Sequence, residues 1–402
     1  MNFLVINDSF PPLKSAAAGM IYNLTRELKK KHKVYVFTAS VDNTEKNKYI
    51  FINNRFKKWR YQNHLKRVLF EIINAVILSY LIIINKKRID KVDLVLWYSP
   101  SSFLWIPVLF SKLIFKCNVY LILRDIFPDW LYHIGLIKSK FLYKFLKTLV
   151  SPQYLISDII GCQTISDKKY LLKRGIKNKI VILKNWQSIS QKKITVKDRQ
   201  KLTKLFIDNV KKFKIKKKSI IMTYLGSTSA AQDIEKIFIF FQNLNKKSQE
   251  KIQLNIFARD TKKVIKYFST KNISINLNVY PQVPSDQIST ILSFTDYGIV
   301  SLNEDHQTHN IPGKFVTYSQ FSIPTICFTH HNQDLSSLID KYKSGYVFSL
   351  ADNIDKLIFK FEKILKHDKK TMKILKNGAN NLFKENFDIK YTVNDIISQN
   401  EN

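Results

Sequence analysis

Short apolar runs alternate along this chain with longer stretches whose apolar residues recur at helical spacing. The runs Phe3–Ile6, Lys33–Thr38, Leu94–Tyr98, Val119–Leu123, Ile159–Gln163 and Val181–Leu183 read as strands, and they stop near residue 185. The stretch "QKKITVKDRQKLTKLFIDNVKKFKIKKKS", Gln191–Ser219, is basic, lacks Gly and Pro, and reads as a connecting helix plus a charged linker. Strands restart at Ile220–Leu225 and continue through Gln253–Phe257, Ile275–Val279, Tyr297–Leu302, Thr325–Phe328 and Tyr346–Phe348. Such alternation predicts parallel sheets covered by helices on both faces, that is, an α/β protein with two Rossmann-like domains. The expected division is an N-terminal domain over 1–190, a basic linker over 191–218, a C-terminal domain over 219–384 closed by a helical segment Lys356–Leu382, and a polar tail over 385–402. Ligands of open α/β sheets sit outside the carboxyl ends of the strands, so both halves are expected to point their sites into a cleft between them.

Composition supports two cores. The chain has 402 residues, 45% hydrophobic and 13% aromatic, long for one core and ample for two domains of about 150 to 200 residues each. Cys117, Cys162 and Cys327 lie far apart with no CxxC pair, which fits a reducing compartment and argues against a disulfide framework or a cysteine zinc site. The opening "MNFLVIND" is a strand-like run with no basic segment before it and does not read as a secretory leader.

Charge brings in partners. The formal net charge is +35, from 66 Lys+Arg against 31 Asp+Glu, which suits nucleic acid or an anionic membrane surface and also suits a general Lys, Ile and Asn bias of the coding sequence. The lysines are spread through helices and linker without a recognition motif, so nucleic acid is not the expected partner. The run Val68–Ile84, "VLFEIINAVILSYLIII", is flanked by Lys66-Arg67 and Lys86-Lys87-Arg88, but it is short and contains Glu71 and Asn74. It reads as a packed helix of the first domain rather than a spanning one. The stretch Gly135–Leu155 spaces Lys138, Lys140, Lys144 and Lys147 among Phe, Leu and Tyr, a basic amphipathic pattern that fits an anionic lipid surface or a solvated helix face.

Four segments could carry chemistry. In the first, strand one ends at Asn7, Pro11-Pro12 follow, and Lys14, Ser15 and Ala16 to Gly19 open a helix. Its small residues would let backbone amides approach a phosphate or sugar, or simply pack helix on sheet. In "LILRDIFPDW" a buried strand runs into Arg124 and Asp125, placed for catalysis or ligand binding, with a surface ion pair as the alternative. In "MTYLGSTSAAQDIEKI" the strand ends at Gly226, and Ser227 and Thr228 precede a helix expected near Ala230, where amides and hydroxyls would face an anion or merely cap the helix. In "NEDHQTHNIPGKFVTYSQFSIP" a polar loop leads to Pro312-Gly313 and a helix that ends before Pro324. Proline at its first position and Lys314 beside it make a seat for a diphosphate. His306 and His309 lack an acidic or cysteine ligand set, so no metal site is expected there.

With these positions in hand, the chain resembles the GT-B glycosyltransferases, specifically the family-4-like retaining group, over nearly its whole length. Thr164–Asn185 resembles the segment closing that family's first domain before an Asn-Gly, with Trp186 here in place of the glycine. "FTDYGIVSLNED" and "NIPGKFVTYSQFSIP" resemble its donor-domain strand and its donor-binding loop and helix. The Thr-His-Asn-Ile-Pro-Gly-Lys and Arg-Asp-hydrophobe-Phe-Pro stretches are similar to those of bacterial N-acetyl-L-fucosamine transferases of O-antigen and capsule assembly. Two departures stand out. The ribose-binding glutamate of the family is replaced by Thr317, with Tyr318 beside it, and the Gly-Arg and Lys-Gly phosphate pair is absent, leaving Gly226-Ser227 and Gln232.

The resemblance implies a retaining transferase with no metal or other cofactor. It would move N-acetyl-L-fucosamine or a related deoxyhexosamine from a UDP-sugar to a polyprenyl-diphosphate-linked saccharide, at the inner face of the plasma membrane. Gly226, Ser227, Thr228, Arg259, His309, Asn310, Gly313, Lys314, Thr317 and Tyr318 would face the donor, Lys14, Ser15 and Gly19 would lie on an acceptor-side loop, and Asp125 and Arg124 would act in catalysis. A non-hydrolysing UDP-sugar epimerase of the same architecture, using Glu304, Asp305, His306 and His309, is one alternative. A non-catalytic basic binding protein is another.

Overall fold

The computed structural model describes residues 1–11, 13, 15–39, 50–53, 64–99, 101, 103–188, 219–270, 273–283, 287–303, 305, 311–330 and 334–401. The expected linker over 191–218 lies outside them. The chain forms two compact units. Met1–Ser188 and the returning segment from Asp388 make the first, and the second ends at Phe387.

The first unit is built on seven parallel strands: β1 Asn2–Asn7, β2 Lys33–Ala39, β3 Ile50–Asn53, β4 Leu94–Tyr98, β5 Asn118–Ile122, β6 Ile159–Cys162 and β7 Lys179–Ile182, in the order β3-β2-β1-β4-β5-β6-β7. The strands are apolar without a break because both sheet faces are covered. Leu4, Ile6, Tyr35, Phe37, Val95 and Trp97 face Leu78 and Ile82 of the helix His64–Asn85, Val108 of the helix Trp105–Phe115, and Tyr154. Their neighbours Phe3, Val5, Val34, Val36, Leu94 and Leu96 face Ile21, Leu24 and Leu28 of the helix Ala16–Leu28. The alternation of two along each strand thus sorts one apolar run into two cores.

Three expectations change here. The sheet gains β3 at its edge beyond β2, a strand too short and too polar in its surroundings to stand out. The stretch Gly135–Leu155 is two helices, Lys140–Val150 and Pro152–Ile156, broken where Pro152 opens the second. The segment expected as a polar tail is the helix Ile389–Glu401, which packs on the helix Ala16–Leu28 and buries Ile389, Val393 and Ile396, three positions at helical spacing. It is tied in by Ile389 N–H, which donates to Gln187 O at 3.2 Å.

The second unit has six parallel strands, β8 Ile220–Gly226, β9 Ile252–Ala258, β10 Asn276–Pro281, β11 Tyr297–Ser301, β12 Thr325–Phe328 and β13 Gly345–Phe348, in the order β10-β9-β8-β11-β12-β13. One face packs on the helices Glu235–Gln242 and Ile354–Ile364 through Phe238, Phe240 and Phe361. The other packs on Gly313–Gln320, Asp334–Tyr342 and Lys369–Asn386 through Phe315, Ile339 and Leu382. The closing segment Lys356–Leu382 is helical as expected and divides into two helices. The helix expected near Ala230 begins at Glu235, after a turn in which Asp233 has φ 40°.

In each sheet the strand order reverses once, between β1 and β4 in the first unit and between β8 and β11 in the second. At such a reversal the connections leave to opposite faces and a crevice opens at the carboxyl ends of the two central strands.

Candidate active site

The crevice of the second unit gathers half of the residues expected at the donor: Gly226, Ser227, Thr228, Gly313 and Lys314. β8 ends at Gly226, whose φ of 104° suits a residue without a side chain and turns the chain into Ser227 and Thr228. The turn is self-braced: Ser227 Oγ accepts from Ser229 N–H at 3.2 Å, and Ser227 O accepts from the Tyr224 hydroxyl. Thr228 is buried, and its carbonyl accepts from Lys263 Nζ at 3.4 Å. From the end of β11, Asn303 N–H and Nδ2 donate to Ala231 O and Ala230 O at 3.0 and 3.2 Å, and Ser301 Oγ donates to Asp233 O at 3.0 Å. The two central strands are thereby laced together around one loop.

The helix Gly313–Gln320 starts beside this loop. Pro312 is its N-cap rather than its first residue, so the helix opens one position later than expected, with Gly313 first. Phe315 N–H donates to Pro312 O at 3.0 Å, so the amides of Gly313 and Lys314 are the ones without an intrahelical carbonyl, and they lie at the positive end of the helix dipole.

Lys314 behaves differently from a surface cation. Although the residue keeps some exposure, its ammonium is buried, 3.7 Å from the centroid of the Tyr224 ring, with no hydrogen-bond partner among the described residues. Burial holds its pKa well below the usual lysine range, with the Cys327 thiol opposing slightly. Tyr224, whose hydroxyl bonds the Ser227 carbonyl, is the side chain that joins this ammonium to the loop after β8.

Other expected donor residues sit elsewhere. Tyr318 is a core residue: its ring closes over Gly298, and its hydroxyl donates to Thr223 O at 2.8 Å and accepts from Leu225 N–H at 3.0 Å. Tyr318 thus clamps β8 to the helix and offers nothing to a ligand. Thr317 turns its hydroxyl back onto its own helix, donating to Gly313 O at 3.0 Å. Arg259 follows β9 and is exposed. Lys14, His309 and Asn310 lie outside the described residues, as do Glu304 and His306. Among the described residues no three His, Cys, Asp or Glu side chains come together.

The first unit has a crevice of its own. Arg124, two residues past β5, is 6% exposed, and its Nη1 donates to Leu183 O at 2.9 Å. Its carbonyl accepts from Gln163 Nε2 at 2.7 Å, and its guanidinium carbon lies 4.6 Å from the centroid of the Trp186 ring. Nε and Nη2 have no partner among the described residues. Burial lowers the arginine pKa, but a guanidinium stays charged. Tyr98, at the end of β4, is pushed up to about 12 by burial, against the pull of Arg124 and with a smaller push from Asp125 and Asp8. Those four groups therefore share one neighbourhood. Asn7 Oδ1 accepts from Ser9 N–H and the Thr38 hydroxyl, while its Nδ2 is buried without a partner among the described residues, and so is Ser101 Oγ. Ser15 caps the helix Ala16–Leu28, accepting from Ala18 N–H at 3.1 Å, and Gly19 lies on that helix.

Trp186 and Tyr224 were not candidates from the sequence, yet each carries a buried cation on its ring. The substitution of Trp186 for the family's glycine was the one available signal. Its indole N–H donates to Met20 O at 3.0 Å, fixing the ring under Arg124.

No protein-family model matches the chain and no curated protein matches its sequence. Solved structures do match over essentially all of it. Sucrose-phosphate synthase from Thermosynechococcus elongatus has a TM-score of 0.73 at 11% identity, covering 99% of this chain and 98% of its own. The UDP-forming α,α-trehalose-phosphate synthase from Burkholderia xenovorans, solved with glucose-6-phosphate, gives 0.72 at 10%, with full coverage of both chains. The catalytic domain of starch synthase IV from Arabidopsis thaliana, bound to ADP and acarbose, gives 0.65 at 8%, covering 98% and 99%. The chain has the GT-B fold. At these identities the likeness concerns the fold alone, and the residues of this GT-B chain must make their own case for its chemistry.

Proposed function

We propose that the protein is a retaining glycosyltransferase that moves N-acetyl-L-fucosamine or a related deoxyhexosamine from a UDP-sugar to a polyprenyl-diphosphate-linked saccharide. The observation that carries this reading is the buried ammonium of Lys314. A cation held out of water with no counter-charge among the described residues is costly, and a donor diphosphate seated on the Gly226–Thr228 loop and the amides at Gly313 would supply a partner. The leaving group of the reaction is that diphosphate, so preorganised positive charge around it is the largest help a protein can give.

In this reading Arg124, fixed by Leu183 O and the Trp186 ring, holds charge on the acceptor side. Asp125 orients the acceptor hydroxyl or stabilises positive charge developing at the sugar. The protein works at the cytoplasmic face of the plasma membrane, where its basic surface meets an anionic leaflet and a negatively charged acceptor. The fold likeness to a UDP-forming trehalose-phosphate synthase and to a starch synthase solved with ADP supports a nucleotide-sugar donor.

The test is product formation: purified protein, a panel of UDP-sugars and a polyprenyl-diphosphate-linked monosaccharide. The reading expects UDP release that requires both substrates and yields one anomer, with configuration retained. Interconversion of UDP-sugars without acceptor would replace the transferase by an epimerase.

A further inference from the structure

A second built feature lies at the other end of the first sheet. Between the helices Lys140–Val150 and Pro152–Ile156 and the turn that leads into β7 is a pocket of about 640 Å³. Its wall includes Lys144, Lys147, Arg174 and Lys177, with Tyr154 and Leu155, and contains no acid. Asn178, also in the wall, directly precedes β7 and donates to Tyr154 O and Ser157 O at 2.9 and 2.6 Å. The pocket therefore sits at the amino ends of β6 and β7, away from the crevice at their carboxyl ends.

Arg174 is anchored from behind. Its Nη1 donates to Asp129 at 2.8 Å, and this fully buried carboxylate also accepts from the Tyr143 and Tyr170 hydroxyls at 2.9 and 2.6 Å. Asp129 thus cancels Arg174, and the three lysines, which enter no ion pair among the described residues, leave the pocket with uncompensated positive charge.

Its lip is apolar. Phe141 is 81% exposed and Leu155 80%, with Phe145 and Leu142 also exposed. Phe141 and Phe145 lie four apart on one stripe of their helix, beside the stripe that carries Lys144, Lys147 and Thr148 into the pocket. The apolar surface extends over the same side of the sheet. The helix Trp105–Phe115 packs against both Pro152–Ile156 and His64–Asn85, and it exposes Leu113. The helix His64–Asn85 exposes Leu69, Ile72, Val76, Tyr80 and Ile83, one stripe of three- and four-residue steps. The segment Val68–Arg88 is long and apolar enough to cross a membrane, yet Phe70, Ala75, Leu78 and Ile82 are buried on its other side. A helix buried on one stripe and greasy on the opposite one suits the plane of a bilayer surface.

We infer that this pocket binds the phosphate of an anionic phospholipid headgroup, while Phe141, Phe145 and Leu155 enter the adjoining acyl region. The inference rests on the membrane part of the proposed function and adds to it a defined headgroup site. Charge complementarity selects the anionic lipid, and the apolar lip separates it from a free anion or a nucleic acid.

The experiment is co-sedimentation of the full chain with phosphatidylglycerol/phosphatidylcholine vesicles and with phosphatidylcholine alone. Three proteins are compared: wild type, the pocket variant K144Q/K147Q/K177Q, and a charge-matched control, K369Q/K370Q/K373Q, which changes three exposed lysines on the helix Lys369–Asn386 of the second unit. Binding to the anionic vesicles should fall at least tenfold in the pocket variant and stay within twofold in the control. F141S/F145S should lose binding comparably. Equal losses in pocket and control variants would overturn the proposal in favour of diffuse charge, and equal binding to both vesicle types would remove the headgroup. Displacement of vesicles by a short DNA duplex that still binds F141S/F145S but not the pocket variant would reassign the site to nucleic acid. UDP-induced thermal stabilisation on the same samples reports the donor site separately, so either reading can fail alone.

Discussion

Each unit buries a cation at the carboxyl edge of its sheet, against an aromatic ring, and the two, Arg124 and Lys314, are held in opposite ways. Arg124 lies over Trp186, keeps a hydrogen bond to Leu183 O, and belongs to a side chain that does not lose its charge. Lys314 lies over Tyr224, has no hydrogen-bond partner among the described residues, and belongs to a side chain that titrates when buried. The first unit therefore carries a permanent positive charge, and the second a conditional one that a bound anion would stabilise. In the proposed account, the difference distinguishes a fixed electrostatic post from a site completed by its ligand.

The comparison breaks most visibly at Arg124. Arg124→Met should lower transfer by about 10²- to 10³-fold, the usual scale for removing one preorganised charge from a reacting site. UDP-induced stabilisation, a property of the second unit, should be unchanged, so a thermal-shift titration beside the rate assay checks both halves. Weakened UDP binding in that variant would end the division of labour.

Lys314→Met is next, and its effects run in two directions. Removing a buried ammonium that has no partner among the described residues should raise the stability of the free protein by roughly 1–3 kcal/mol, read by denaturant titration. The same change should lessen stabilisation by UDP. A loss on both counts would mean that Lys314 is structural.

Gly226→Ala should cost about 1–3 kcal/mol, because φ is 104° there while nothing lies within 4 Å of an added Cβ. The cost would be backbone strain, with weakened UDP binding as its functional sign. A variant as stable as wild type would show that the loop relaxes freely.

The smallest effect is in pH. The folded pKa of Lys314 lies below its unfolded value, so the unfolded chain binds more protons in the window between the two. Stability from this group is therefore lowest below the folded pKa and recovers as pH rises toward the ordinary lysine value. The gain from Lys314→Met should accordingly shrink as pH rises through that window, and a pH-independent gain would exclude the ammonium as its cause.

Much of this architecture was readable in the chain. Every strand expected from an apolar run is present, because strands buried on both faces need continuous apolar sequence, and Arg124, Gly226 and Lys314 fall at strand or helix ends as expected. What was not readable depends on packing across the chain. Tyr318 looked like a site residue, but the absence of a side chain at Gly298 makes room for its ring in the core. The helix Ile389–Glu401 looked like a polar tail because its few apolar residues acquire meaning only against the helix Ala16–Leu28. The inward turn of Lys314 has no local signature at all, since the partner of its ammonium, Tyr224, is remote in sequence.

The outer surfaces of the units differ too. In the second, only Ile239, Ile265, Phe359 and Ile374 are exposed large apolar side chains among the described residues, scattered over separate helices. In the first, such residues line whole stripes of the helices His64–Asn85 and Lys140–Val150. Scattered exposure is ordinary and continuous exposure is not, which places membrane contact on the first unit in the proposed account.

The central claim is that the second unit seats a nucleotide diphosphate against Lys314. Its most direct test is the thermal midpoint of wild type and Lys314→Met with and without UDP at saturating concentration. The account predicts a clear rise for wild type, of order 2.7 kcal/mol at a hundredfold excess over Kd, and a much smaller rise for a variant that starts from a higher midpoint. An equal rise in both proteins, or none in either, would contradict it.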